Sequence, residues 1–444
     1  MTAPLAPLPP LTRLGRELNA VCAHATQPEE IAAALEANGL NDDIARERYG
    51  LDNVFACAEA LFVNVPYREP RPATLPALLP AWNLITRGAL YALPGAALAV
   101  AAPLLAPYPG AQTALIVSVV FGWGWGQGLA SLGYRKSGRP LYRFLSGATL
   151  LTFPVAAALS ALAALVTQQP VLAAALVGAV AGSAFAAFAA LLILGRPWRV
   201  ALVYLPSLAC LLTVALGGVV NADVAWLSVA FAAALPLLVL AERTNLPEGL
   251  HLPVLRWTVP LAHATAGWSC GLFVTVVFGA ALWSRLGAAA LLPVIVSVGA
   301  MEVLSLIFHG RLRALAHRHG NLGSLGRSAV RALLQVLTLY LLVLTVLLTL
   351  YLAMTQPGGW QELPAGLVAA LPLLVYGGAL LLGTLISNTG YPWLTGVAWL
   401  FGSLVFLTVQ TTQPQNAALL GAVATLSVTA LGMKALLWNP LTYR

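Results

Sequence analysis

Charge is scarce in this 444-residue chain: 9% of its residues are Asp, Glu, Lys or Arg, where a water-soluble domain carries about 25%. A surface so poor in charge excludes an ordinary soluble globular protein. Cysteine is equally sparse. Cys22, Cys57, Cys210 and Cys270 stand far apart without C-x-x-C spacing, which excludes a disulfide framework, a zinc ribbon and a thioredoxin-type site and leaves four small apolar side chains. No P-loop lysine motif is present, so ATP hydrolysis would need a separate subunit. Acidic residues number 15 against 23 Lys and Arg, and the resulting pI near 9.6 would suit nucleic acid only if the positive charge formed one continuous face. It is broken up by apolar runs, so no nucleic-acid partner is expected.

What the chain has instead is apolar length. Hydrophobic residues make up 59% of it, with a mean hydropathy of +0.84. The charge is also unevenly placed: before Ala73 there are ten acidic residues against six arginines, a net −4, and the remainder carries +12. This predicts an acidic N-terminal domain and linker over 1–72, with the proline- and arginine-rich stretch Pro66 to Pro76 joining it to a membrane body. Met1 to Pro10 is short, interrupted by proline and without a basic start, and so reads as no signal peptide. The domain reads as helices: an amphipathic candidate over Leu11 to Ala25, one opened by Pro28-Glu29-Glu30 and ended by Gly39, one from Asn41-Asp42-Asp43 to Gly50, and a last one capped by Asp52 and running to Phe62. The last three, with Gly39-Leu40 between the first two, resemble a ubiquitin-associated-type bundle. A stabilising cap and a docking site for a cytoplasmic partner of residues 11–65 are both open uses.

A bilayer core about 30 Å thick needs roughly 20 apolar residues per helix. The body supplies about twelve such runs, at 85–106, 111–133, 145–167, 170–194, 198–218, 222–242, 258–282, 287–308, 329–354, 365–387, 392–411 and 416–437. The expected fold class is therefore all-α, a polytopic membrane protein. With the N-terminus inside, sixteen Lys and Arg of the body fall on the cytoplasmic side and only Arg285 outside, as the positive-inside rule requires. Both termini are then cytoplasmic, in a cell membrane of inner-membrane type.

Division at the cytoplasmic linker 243–257 leaves six spans on each side, lobes at 73–242 and 258–444. In each, a long basic loop follows the second span: Tyr134 to Arg143, then His309 to Arg331. Gln127 and Glu302 stand at corresponding depths before those loops. Six crossings return the chain to one side, so the halves would be parallel repeats about an axis along the membrane normal with a cavity between them, a transporter plan.

Two families share that plan. Major-facilitator transporters carry G-x-x-x-D-R-x-G-R-R after the second span, whereas Ser131 and Arg135 occupy its Gly and Asp places here, leaving Lys136, Gly138 and Arg139 as matches. The body more closely resembles the multidrug, oligosaccharidyl-lipid and polysaccharide exporters, through Gly126-Gln127-Gly128 to Tyr134-Arg135 running into an Arg-rich helix, and Leu306-Ile307-Phe308-His309-Gly310-Arg311-Leu312-Arg313 leading by a second such helix into span nine. That resemblance implies a flippase or exporter of a lipid-linked glycan, a polysaccharide precursor or another amphipathic solute, with no enzymatic activity and no cofactor. A proton-coupled small-solute carrier and a non-transporting scaffold are the alternatives. Flippases for pyrophosphate-linked lipids resemble one another in an arginine-lined cavity, for which only Arg87 and Lys434 are candidates here.

Within the spans, Glu302 is the one carboxylate placed deep, and an ionisable group there faces a cavity or a partner. With His263 and Lys434 it is expected to form a substrate or proton pathway, to which Gln127 and Arg87 are added; a structural ion pair with a snorkelling Lys434 explains the same residues. Gly122, Gly124, Gly126 and Gly128 form two G-x-x-x-G pairs, for close helix packing or a hinge. Arg135, Lys136, Arg139, Arg143, Arg311 and Arg313 are expected to meet anionic lipid head groups, together with His309, His317 and His319 of the same basic loop. No metal site is read from those histidines. Gly267-Trp268-Ser269-Cys270-Gly271 matches G-x-S-x-G but lies mid-span, away from the strand-to-helix turn that a nucleophile elbow needs, so no catalytic residue is expected.

Overall fold

The structure is a computed structural model that describes residues 11–65, 90–242, 257–278, 291–355 and 361–438, apart from scattered residues within these ranges. It divides into two compact units, Met1–Ala77 and Leu78–Arg444. Every element among the described residues is a helix.

In the first unit, α1 spans Asn19–Cys22 and α2 Pro28–Ala37; α3, Asp42–Ile44, runs into a π-helical turn over Ala45–Tyr49, and α4 spans Val54–Asn64. The Asn41 side chain accepts from the Ile44 amide at 2.9 Å. Gly50, at φ 69°, ends the π turn in a left-handed conformation that glycine adopts without a Cβ clash. The cap of α4 is Asn53, whose Oδ1 accepts from the Ala56 amide at 2.8 Å, and not the expected Asp52. Asp42 Oδ1 instead accepts from the Val54 amide at 2.9 Å and ties α3 to α4. Ile31, Leu35, Cys57 and Leu61 are buried in the common core.

In the second unit the described residues between 90 and 105 are helical. Thereafter come α5 Ala111–Gly133, α6 Gly138–Val166, α7 Val171–Ile193, α8 Pro197–Ala215, α9 Ala222–Ala233 and α10 Leu235–Ala241. The second half has α11 Thr258–Phe273, extended by a π turn over Val274–Phe278, then α12 Leu292–Arg318, α13 Leu322–Thr355, α14 Leu363–Ala369, α15 Leu371–Asn388, α16 Pro392–Gln410 and α17 Pro414–Leu437. Among the described residues ten apolar helical stretches are long enough to cross a membrane, and the chain is a multi-pass membrane protein. The two expected spans outside those ten are 85–106, which lies partly outside the described residues, and 198–218, where the described apolar helix Pro197–Thr213 is shorter.

The structure differs from the expected spans in four places. Spans six and ten are each broken, at Ala234 and Ala370, where Pro236 and Pro372 open the next helix; proline cannot supply the amide that a continuous helix needs. The basic segments expected as loops are mostly helix. Gly138 opens α6 directly, and α13 runs for 34 residues, about 50 Å at 1.5 Å per residue and so well beyond the bilayer core. His309 accordingly lies in α12, half-buried, and not in a loop.

Five threonine hydroxyls inside the spans are satisfied by their own helices: Thr149, Thr152, Thr345, Thr425 and Thr429 each donate to the carbonyl four residues back, the local solution to a polar group in hydrocarbon. At the basic end of the first half, buried Glu242 takes Arg199 at 2.5 Å and Arg196 at 3.3 Å. Beside them Tyr142 donates to the Leu240 carbonyl at 3.0 Å. These contacts tie α6 and α8 to the end of α10.

The halves meet through small residues. Gly122 and Gly126 of α5 face α7, where added Cβ atoms would meet Phe185 and Ala189; Gly124 and Gly128, two residues out of phase, face α11, where they would meet Trp268 and Ala264. A step of two residues turns about 200° around a helix, so each G-x-x-x-G pair serves a different neighbour. A Cβ on Gly267 would stand 2.7 Å from the Gly124 Cα and 3.0 Å from the Trp123 carbonyl oxygen, and one on Gly271 would stand 2.9 Å from the Val120 Cα. Spans two and seven thus pack backbone against backbone. A second close approach involves α12, where a Cβ on Gly95 would stand 2.7 Å from Ile295 Cδ1.

Candidate functional site

The α5–α11 crossing forms one wall of a cavity of about 290 Å³. Trp123, Gln127 and Ser131 line it from α5, His263, Gly267 and Cys270 from α11, Leu380, Thr384, Ser387 and Asn388 from α15, and Thr395 and Trp399 from α16. The spacing explains the set: on each helix the lining residues recur at intervals of three and four, one face of a 3.6-residue repeat. Ser131 lies two residues before the end of α5, His263 five after the start of α11, Asn388 at the end of α15 and Thr395 three after the start of α16. The polar residues therefore gather near the end of the bundle that also carries Lys136, Arg139, Arg143, Arg311 and Arg313.

Hydrogen bonds hold the wall. Thr395 Oγ1 donates to the Gly383 carbonyl at 3.0 Å and accepts from Ser387 Oγ at 3.1 Å, joining α15 to α16. Asn388 Nδ2 donates to Ser305 Oγ of α12 at 3.1 Å. Trp268 Nε1 donates to the Phe121 carbonyl at 3.2 Å across the two halves. Behind the cavity Cys270 Sγ lies 3.7 Å from the Tyr376 hydroxyl, and Tyr376 stacks on Phe273 at 5.8 Å. The resulting floor is aromatic, the rim amide and hydroxyl. Among the described lining residues none is Asp, Glu, Lys or Arg.

Of the residues singled out from the sequence, Gln127 and His263 come together here. Glu302 is half-buried on α12, beside Met301, whose Sδ is 3.5 Å from Thr384 Oγ1; it backs the cavity wall and is not one of its lining residues. Lys434 is exposed near the end of α17 and does not join the set. Arg87 and Arg135 lie outside the described residues. Lys136 sits 5.2 Å from the Phe144 ring centroid; Arg139, Arg143, Arg311 and Arg313 are exposed, and Arg311 donates to Gln335 at 2.9 Å. Among the described residues no group of three His, Cys, Asp or Glu could hold a metal ion. Ser131, Thr384, Ser387, Asn388 and Thr395 carry no charge to mark them in the sequence; their one signal is Thr384, Ser387 and Asn388 at intervals of three and one in an otherwise apolar helix.

No family model matches the chain, and no curated protein matches it. A solved structure described as a MATE in the bent conformation aligns with 79% of this chain and 93% of its own length, at 12% identity and a TM-score of 0.43. That is a weak resemblance of general layout.

Proposed function

We propose that this membrane protein is a transporter which moves an amphipathic solute with an uncharged, hydrogen-bonding head group by alternating access of the cavity between its halves. A lipid-linked glycan or polysaccharide precursor exported across the inner membrane is the solute of that class named by the sequence resemblance. The observation that carries the reading is the cavity itself: it lies where the two halves meet, and pairs amide and hydroxyl groups with Trp123 and Trp399. Pockets of that kind take ligands through an apolar face and a few fixed hydrogen bonds. The absence of fixed charge among the described lining residues argues against pyrophosphate recognition there. The basic end is the cytoplasmic one by the partition of Lys and Arg, with both termini on that side, and exposed basic residues there would meet anionic head groups. Residues 11–65, with Phe55 and Val63 exposed on α4, would receive a cytoplasmic partner.

The test uses Cys270 as a reporter in a protein whose other three cysteines are alanine. In membrane vesicles of known orientation, a small impermeant thiosulfonate should modify Cys270 when added on either face. Modification from one face only, or from neither, contradicts alternating access.

A further inference from the structure

Span eight carries a line of polar groups that the cavity alone does not use. Glu302, Ser305 and His309 follow one another at intervals of three and four on α12, which places them on one face over two turns. That face backs the cavity wall: Asn388 donates to Ser305 Oγ at 3.1 Å, and Thr384 meets Met301 one turn earlier. His309 Nδ1 lies 2.7 Å from the Ser305 carbonyl oxygen. A carbonyl only accepts, so Nδ1 carries the hydrogen and Nε2 presents a lone pair. Nε2 is buried without a hydrogen-bond partner, a costly state for a ring that merely packs and a suitable one for a ring that takes up a proton.

We infer that the Glu302–Ser305–His309 face of α12 is a proton path whose occupancy sets access to the cavity; the inference rests on the transport reading above. A proton leaves the Glu302 carboxyl and adds to the lone pair of His309 Nε2, giving an imidazolium with hydrogen on both nitrogens. Loss of a proton to water at the basic end restores the neutral ring. Seven residues separate Glu302 from His309 by about 10 Å along the axis, so the Ser305 hydroxyl and intervening water bridge them. The basic end lies just beyond His309: Arg311 and Arg313 follow within about one turn of α12, α13 carries Arg327 and Arg331 on its exposed surface, and α15 carries no carboxylate or cation. Transient protonation is what a relay needs.

The test measures the rate of Cys270 modification against pH in full-length protein in lipid nanodiscs, with the other three cysteines replaced by alanine. The expected result is a several-fold change across the histidine range that disappears in Glu302→Gln and in His309→Gln. Ser305→Ala, which keeps both titrating groups, should slow the response. Ring-¹⁵N histidine spectra of the same samples should show the His309 titration displaced by Glu302→Gln. A pH dependence that survives both substitutions, or an undisplaced His309 titration in a folded Glu302→Gln protein, overturns the proton path while leaving transport standing. Failure of Cys270 to react from either face under any condition overturns the transport reading itself.

Discussion

Two glycines in the membrane body define what a single residue contributes. Gly267 meets the backbone of α5, so Gly267→Ala must push two helices apart, whereas Gly147 has open space where a Cβ would stand. Overpacking of this kind costs about 1–3 kcal/mol, while alanine in an open helical position is favoured over glycine by about 0.5–1 kcal/mol. Thermal unfolding in detergent should therefore show Gly267→Ala well below the parent and Gly147→Ala level with it or above. In the N-terminal unit Asn53→Ala removes the cap of α4 and should cost about 1 kcal/mol, read as faster hydrogen exchange at the Ala56 amide. Cys22 and Cys57 in the same unit have thiols pushed above the ordinary value of 9.0 by burial. The folded state thus holds their protons more tightly than the unfolded one. Their contribution to stability is complete below pH 9.0 and is lost as pH rises through the raised values, so the alkaline loss of stability of this unit should be smaller in Cys57→Ala.

At the scale of elements, the sequence carries the positions of helices better than their interruptions. The run 111–133 matches α5 because glycine and polar residues bound it on both sides. Apolar length alone could not show that Pro236 and Pro372 would divide spans six and ten, since proline inside a membrane helix also persists unbroken, as Pro154 and Pro206 do in α6 and α8. The break before Pro372 lies about two turns before the part of α15 that lines the cavity. Pro372→Ala restores an amide and favours one continuous helix, and the expected outcome is a stable protein in which Cys270 reacts more slowly. The Glu242 cluster is another element-level device, joining helix ends that the sequence places far apart. Glu242→Gln leaves Arg199 near a neutral partner and should cost roughly 1–3 kcal/mol, toward the lower end because Arg196 is half exposed to screening solvent; the melting temperature measures it.

For the whole molecule, the proposed transport requires two halves to turn against each other about the glycine-lined crossing of α5 and α11. The division of the membrane body into halves is an expectation from basic residues that recur after the second span of each. The G-x-x-x-G pairs were legible as spacing but not as partners, since a sequence does not show that alternate pairs face α7 and α11. The cavity was legible only through Gln127 and His263; its hydroxyl and amide groups come from helices far apart in the chain, and Lys434, whose charge marks it in the sequence, stands exposed outside it. The most direct measurement is the distance between spin labels at Arg139→Cys and Arg313→Cys, exposed positions at the basic ends of the two halves, in lipid nanodiscs with the native cysteines removed. Two resolved populations whose ratio moves between acidic and neutral buffer are predicted. One narrow population, unchanged across those conditions, would contradict the account.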